Sequence, residues 1–146
     1  MAVNPTEQQL QEITAIAGSD ADAPLVMLNL NRYRERAAYE GDPPGEVSGE
    51  VSGREAYQRY AIVAWQVFKR VGAEIVWSTR STMAFVGDAE ERFDDVIAVR
   101  YPSASAFLEL VSDPELLAAT THRDAGLERA LVLRCDDSGE GPLRGL

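Results

Sequence analysis

The stretch FDDVIAVRYPSASAFLELVSDPELLAATTHRDAGLERALVLRC, residues 93–135, predicts a strand, two helical segments and a closing strand. Side chains of Val96–Tyr101 alternate between two faces, as expected for a strand. Ser103 and Asp113 are residues that commonly cap helix N-termini. Leu131–Leu133 forms the core of the closing strand. The stretch therefore predicts the second half of an α+β domain.

The residues before this stretch predict the first half of the same domain. Leu25–Asn31 is a strand whose second half alternates between apolar and polar side chains. Ser52 opens a capping box, and a helical apolar stripe follows until Gly72 ends the helix. Ala73–Thr79 and Met83–Gly87 are predicted to form a hairpin, because only three residues separate them.

The chain length of 146 residues fits one domain. We expect an N-terminal extension with a helix over residues 4–17, capped by Asn4. The predicted organisation is a helical extension over residues 1–18, a ferredoxin-like domain over 19–135 and a flexible tail over 136–146.

Two segments between the first strand and its helix have less regular patterns. Arg32–Tyr39 is charged and aromatic, and we interpret it as a helical turn. Residues 41–53, GDPPGEVSGEVSG, form a loop by composition. A loop of this length is either a lid or a flexible surface loop, and the second interpretation is favoured.

Composition excludes several classes of function. Fourteen basic and 24 acidic residues give a net charge of −10, which would repel nucleic acid. One cysteine and one histidine offer no familiar metal-ligand set. The N-terminus has no signal-peptide pattern, and no apolar run approaches the roughly 20 residues that span a bilayer. We therefore expect a cytoplasmic protein that binds neither metal, nucleic acid nor membrane.

Without the N-terminal helix, the predicted order is β-α-β-β-α-β with an extra turn before the last strand, which is the ferredoxin-like arrangement. Its helices cover one face of an antiparallel sheet. The strands are apolar on both sides, so the second face must also be covered. A homodimer in which two sheets pack face to face would cover it.

Four segments carry a resemblance to a known family: Ser52–Ala61 (SGREAYQRYA), Gly72–Trp77 (GAEIVW), Phe93–Leu110 (FDDVIAVRYPSASAFLEL) and His122–Leu133 (HRDAGLERALVL). They are similar to the longer members of the bacterial domain-of-unknown-function family DUF1330. The resemblance covers about residues 25–134. It implies a dimeric α/β barrel, the fold of cofactor-free monooxygenases, muconolactone-type isomerases and heme-handling proteins, but it implies no particular reaction.

His122 is the only histidine and the candidate catalytic base. Arg100 or Arg123 could stabilise a developing oxyanion. Successive residues of a helix project about 100° apart, so His122, Arg123 and Asp124 cannot all face one cavity. In the favoured alternative, His122 lies at the surface or at a helix end and forms hydrogen bonds with backbone groups.

Further residues are candidates for the lining of a ligand cavity. Asn29 and Asn31 give the end of the first strand one polar face, which is either a cavity wall or solvent-exposed. The other ligand-binding candidates are Arg32, Tyr57, Tyr60, Trp77 and Arg123. Core packing is the alternative role for the two tyrosines and for Trp77.

Two functional hypotheses follow from these residues. The first is a dimer that binds a small organic molecule and, as an enzyme, carries out proton-transfer or oxygenase chemistry without a cofactor. The second is a non-catalytic binding or structural dimer. A heme role is disfavoured because His122 would be its only histidine ligand. Phosphate binding by a P-loop and serine-hydrolase activity are also disfavoured, because the sequence contains neither a P-loop nor a G-x-S-x-G elbow.

Overall fold

The computed structural model describes residues 3–40 and 51–146. Its strands are β1 (Leu25–Tyr33), β2 (Glu74–Arg80), β3 (Asp95–Tyr101) and β4 (Leu127–Asp136). Its helices are α1 (Glu7–Ala17), α2 (Gly53–Val71), α3 (Ala104–Val111) and α4 (Pro114–Gly126). The strands form one antiparallel sheet in the order β2-β3-β1-β4. The predicted β-α-β-β-α-β, ferredoxin-like fold is confirmed.

Most of the predicted helix boundaries are confirmed by their caps. The Ser52 hydroxyl accepts a hydrogen bond from the backbone N–H of Glu55 at 3.1 Å, and Asp113 accepts one from Glu115 at 2.9 Å. Ser103 caps α3 in the same way. Gly72 ends α2 with a φ of 79°, a left-handed conformation that favours glycine. These boundaries depend on residues within four positions of one another, which explains why the sequence predicts them.

The predicted strand Met83–Gly87 is wrong. Glu74–Arg80 pairs with β3 instead, and the connection between them contains one 3₁₀ turn, Ala89–Glu91. The apolar side chains that indicated a strand are exposed, Phe85 by 90%. Apolar alternation predicts a strand only where a neighbouring strand and a covering layer exist.

The predicted helical turn over Arg32–Tyr39 is also wrong. Arg32 and Tyr33 extend β1, and residues 34–40 are not helical. Tertiary hydrogen bonds replace the helical ones: the backbone N–H of Arg34 donates to Gly126 O, and that of Ala38 donates to Ala125 O, both at 2.8 Å. The segment is therefore held by the end of α4.

The N-terminal helix begins later than predicted. Thr6, rather than Asn4, caps α1 through a capping box with Gln9. Gly18 ends the helix as expected. Of the predicted loop over residues 41–53, residues 41–50 lie outside the part that the structure describes.

One face of the sheet, which we call the covered face, packs against the helices. Its strand residues are Leu25, Met27, Val99 and Tyr101. The helices contribute Ala64 and Val67 of α2, Ala104 and Leu110 of α3, and Leu116 of α4. Tyr101 makes edge-to-face contacts with Phe68 and Phe107, so it packs under the helices as its position predicts.

The opposite face, which we call the open face, is also apolar. Its apolar side chains are Val26, Leu28, Leu30, Trp77, Val96, Ala98, Leu131 and Leu133, and Arg32 and Arg100 lie on the same face. Trp77 is 54% exposed and Leu133 is 44% exposed. The core residues of α2, α3 and α4 all lie against the other face.

Helix α2 begins where α4 ends, and the two backbones touch there. A Cβ atom added to Gly53 would lie 2.6 Å from the carbonyl oxygen of Gly126, closer than real Cβ contacts come. Both positions therefore require glycine because of close approach rather than backbone conformation. Within residues 3–40 and 51–146, no helix is long and apolar enough to cross a bilayer.

Candidate functional site

A half-open cleft of about 660 Å³ lies at one end of the sheet, and we call it the sheet-end cleft. Strands β1 and β2 end there and β3 and β4 begin there, because the sheet is antiparallel. Its volume lies within the range of about 300–1,000 Å³ that is typical of small-molecule sites. Its lining residues are Tyr33, Arg34, Glu35, Arg54, Arg80, Ser81, Arg92, Asp94, Asp95 and Glu128.

Three side chains of the cleft form a hydrogen-bonded group centred on Asp95. The Tyr33 hydroxyl donates to Asp95 Oδ2 at 2.7 Å, and Arg54 Nε donates to the same oxygen at 3.3 Å. Burial, and then the bond to Asp95, raises the pKa of the Tyr33 hydroxyl well above its usual value. Tyr33 is therefore a neutral hydrogen-bond donor at physiological pH, beside a buried carboxylate.

Backbone hydrogen bonds hold the acidic pair at the start of β3. Asp94 Oδ2 accepts from the backbone N–H of Tyr33 at 2.9 Å. The backbone N–H of Asp94 donates to Asn31 O at 2.7 Å, and that of Ser81 donates to Asp94 O at 2.9 Å. Three strands thus meet at Asp94, which fixes the position of the neighbouring Asp95.

A row of three tyrosines runs from the cleft into the interior. Ring centroids of Tyr33 and Tyr57, and of Tyr57 and Tyr60, are 5.5 Å apart in tilted arrangements. Burial, followed by the field of Tyr57, raises the pKa of Tyr60 to about 12. The row therefore consists of neutral phenols.

Asn31 lies next to this row and opposite Asp95 in the register of β1 and β3. Its side chain lowers the pKa of Tyr57, against the larger increase that burial causes. Asn31 is 2% exposed, and among the described residues its Nδ2 atom has no hydrogen-bond partner. An unsatisfied buried amide is costly, so this atom marks a polar interior directly behind the cleft.

The structure places the other predicted ligand-binding residues outside the lining of the cleft. Asn29 Nδ2 donates to the backbone oxygens of Met27 at 3.1 Å and Ile97 at 3.2 Å. Arg32 is buried, 2.9 Å from Glu128 Oε2, and Trp77 lies on the open face.

The two predicted catalytic residues do not come together within one chain. His122 Nδ1 shares a hydrogen bond of 2.7 Å with the Tyr39 hydroxyl on the helical side. Burial, followed by the charge of Arg59, lowers the pKa of His122. Arg100 belongs to the opposite side of the sheet and pairs with Asp137 at 2.8 Å.

Arg123 projects towards the N-terminal segment. Its Nη1 donates to Asn4 Oδ1 at 2.8 Å, and Asp124 lies 3.8 Å away. Arg123 does not belong to the lining of the sheet-end cleft.

Sequence reasoning missed the charged residues that line the cleft. Tyr33 ends β1, Arg80 ends β2, and Asp94–Asp95 opens β3. In an antiparallel sheet of this topology these ends meet at one edge, which is a signal that the sequence contains. This signal was missed because a strand over Met83–Gly87 was predicted, and that strand would have paired with β2 in place of β3. In the described ranges, no three His, Cys, Asp or Glu side chains are grouped as a metal site.

Comparison with known proteins gives one family and two close structural matches. The family model for a domain of unknown function, DUF1330, matches residues 47–134. The crystal structure of methylated RPA0582 protein has a TM-score of 0.81 and 33% identity, over 96% of this chain and 97% of that one. A second structure, of the RPA0582 protein of unknown function from Rhodopseudomonas palustris, has a TM-score of 0.78 and 34% identity, over 92% and 95%.

A more distant match is a hydroxynitrile lyase from Passiflora edulis. It has a TM-score of 0.54 and 14% identity, over 83% of this chain and 99% of that one. At that identity the likeness concerns the fold alone. The comparison with curated proteins found no match.

Proposed function

The chain belongs to the DUF1330 family, and from that premise we propose that it is a homodimer that binds a small organic molecule in the sheet-end cleft. The observation that carries this proposal is the group of Tyr33, Arg54 and Asp95. A buried carboxylate, a neutral phenol and a guanidinium converge at a cleft of ligand size. Such convergent polar groups typically orient a ligand.

The reaction class that suits this group is proton transfer without a cofactor. Asp95 could accept a proton from a ligand carbon or hydroxyl, while Tyr33 donates a hydrogen bond to the oxygen on which charge develops. Tyr33 would have to exchange its bond with Asp95 for one with the ligand. An oxygenase reaction on a similarly bound ligand is the second class.

The proposed role of His122 as a base stays a prediction. Its Nδ1 is bonded to Tyr39 and it does not line the cleft. Two variants, His122→Ala and Tyr33→Phe, distinguish the surroundings of His122 from the sheet-end cleft as the ligand-binding site. If the sheet-end cleft is the site, Tyr33→Phe weakens ligand binding and His122→Ala leaves it unchanged.

The homodimer is supported by the open face. Four strands of seven to ten residues, about 4.8 Å apart, give a face with a flat area of roughly 500 Å². A stable interface buries about 800 Å² on each partner. The exposed apolar residues Met83, Phe85 and Val86 of the β2–β3 connection would supply further area.

A screen of small organic acids, phenols and carbonyl compounds, read by nuclear magnetic resonance shifts of backbone amides, tests the binding site. We expect the amides of Tyr33, Ser81 and Asp95 to shift together. Shifts confined to the surroundings of His122 and Tyr39 would contradict the sheet-end cleft as the site. Sedimentation at micromolar concentration tests the homodimer, and a stable monomer would contradict it.

A second candidate function is binding without turnover. It is favoured by the two hydrogen bonds that Asp95 Oδ2 already accepts, from the Tyr33 hydroxyl and Arg54 Nε, because a proton from a ligand would have to compete with them for this oxygen. An identified ligand that stays chemically unchanged after prolonged incubation with the protein would support this candidate over the enzyme.

A further inference from the structure

Three arginines of the sheet-end cleft have no acidic partner among residues 3–40 and 51–146. Arg34, Arg80 and Arg92 are exposed, and in the part of the chain that the structure describes no carboxylate lies within ion-pair distance of them. By contrast, Arg54 pairs with Asp95 in the same cleft. In a chain of net charge −10, three unpaired cations at one opening are unexpected.

The three arginines come from different elements. Arg34 follows β1, Arg80 ends β2, and Arg92 precedes β3. Their grouping is therefore produced by the topology of the sheet rather than by a local run of basic residues. Guanidinium groups bind carboxylates through paired hydrogen bonds, and several around one opening would also attract an anion from solution.

We infer that the ligand of the sheet-end cleft is a small organic molecule with a carboxylate, which Arg34, Arg80 and Arg92 bind. This inference rests on the proposed function and specifies its ligand class. A doubly charged phosphate fits less well, because Glu35, Asp94 and Asp95 line the same cleft and would repel the second charge. A carboxylate carries a single negative charge, so these acidic side chains repel it less than they repel a doubly charged phosphate.

Benzoate and benzamide provide a matched pair of probes, since they share a planar shape and differ in charge. Calorimetric titration in a buffer of low ionic strength would measure the affinity of the protein for benzoate, for benzamide and for inorganic phosphate. We expect benzoate to bind at least tenfold more tightly than benzamide or phosphate. Replacing two arginines, Arg80→Gln with Arg92→Gln, should weaken benzoate binding at least tenfold and leave benzamide binding unchanged.

Arg70→Gln is the control variant. Arg70 is a half-exposed arginine that pairs with Asp113 and Glu115, outside the cleft, so its loss should not change the affinity for benzoate. Circular dichroism and the melting temperature verify that each variant is folded.

The outcomes distinguish the ligand class from the proposed function. Benzamide that binds as tightly as benzoate, with shifts of the cleft amides, would overturn the carboxylate and retain the cleft as a binding site. Phosphate that binds more tightly than benzoate would likewise overturn the carboxylate. Benzoate binding that the double variant leaves unchanged would overturn the role of the arginines. Shifts that avoid the cleft with every probe would count against the proposed function itself.

Discussion

The two faces of the sheet are built from the same strands but have different surroundings. On the covered face, Leu25 is fully buried beneath the helices. On the open face, Leu133 is 44% exposed. Both faces are apolar, so alternation identifies which residues share a face and not which face the chain's own helices cover. In our proposal, a second copy of the chain covers the open face.

The largest expected effect is on the covered face. Leu25→Ala should lower the free energy of unfolding by about 4 kcal/mol, since truncating a fully buried leucine loses transfer free energy and leaves a cavity. Leu133→Ala, the matched change on the open face, should cost about 1 kcal/mol or less in a monomer. Denaturant unfolding at low protein concentration measures both. Equal losses would mean that the two faces are equally packed within one chain.

Next in size is the contact between the backbones of α2 and α4. Gly53→Ala should destabilise the protein by about 3 kcal/mol, because the new methyl group would overlap backbone atoms of Arg34 and Gly126. Gly18→Ala is the control, since a Cβ atom there meets nothing within 4 Å and its φ of −97° suits any residue. Thermal unfolding of the two variants should differ clearly. A Gly53→Ala variant as stable as Gly18→Ala would disprove the close approach.

A smaller effect is expected on the open face in the proposed dimer. Trp77→Lys should weaken dimerisation by tenfold or more, because a buried lysine would lack a partner in an apolar interface. Ile62→Lys changes another exposed apolar residue, on helix α2, and should leave the dimer intact. Sedimentation velocity over a concentration series compares them. Dissociation by Ile62→Lys but not by Trp77→Lys would move the interface to the helical side.

The smallest expected change in the free energy of unfolding concerns Asp22, which joins the segment after α1 to the start of α3. Asp22 accepts hydrogen bonds from the Ser105 hydroxyl and the Ala104 backbone N–H, both at 2.6 Å. The bond from Ser105, more than any other cause, holds the pKa of Asp22 below its ordinary value of 3.8.

A carboxyl group whose pKa is lowered in the folded state stabilises the protein above the unfolded pKa. That contribution is lost as pH falls through the lower, folded pKa. The stability advantage of the parent over Asp22→Asn should therefore be constant above about pH 5, begin to decrease near pH 4 and be lost as pH falls through the lower, folded pKa. Urea unfolding from pH 7 to pH 3 measures it. An advantage that persists unchanged at pH 3 would show that the carboxylate charge is not what stabilises this junction.

The candidate site was less predictable than the fold. Asn31 was identified as part of a polar wall, and it lies directly behind the sheet-end cleft. Tyr33 was missed because Arg32–Tyr39 was interpreted as a helical turn, although Tyr33 is the last residue of β1. His122 attracted attention as the only histidine, but a residue's chemistry alone does not specify its neighbours.

The sequence by itself determined the caps at Ser52, Ser103 and Asp113, the phase of the strands and the ferredoxin-like order of the elements. Caps join residues two or three positions apart, and strand phase is an alternation between neighbours, so both are local. Only the tertiary structure decided that β2 pairs with β3 and that Tyr33 meets Asp95, 62 residues later in the chain. The physical reason is that such contacts depend on which strand ends share an edge of the sheet. That arrangement is set by packing of the whole domain rather than by any one segment.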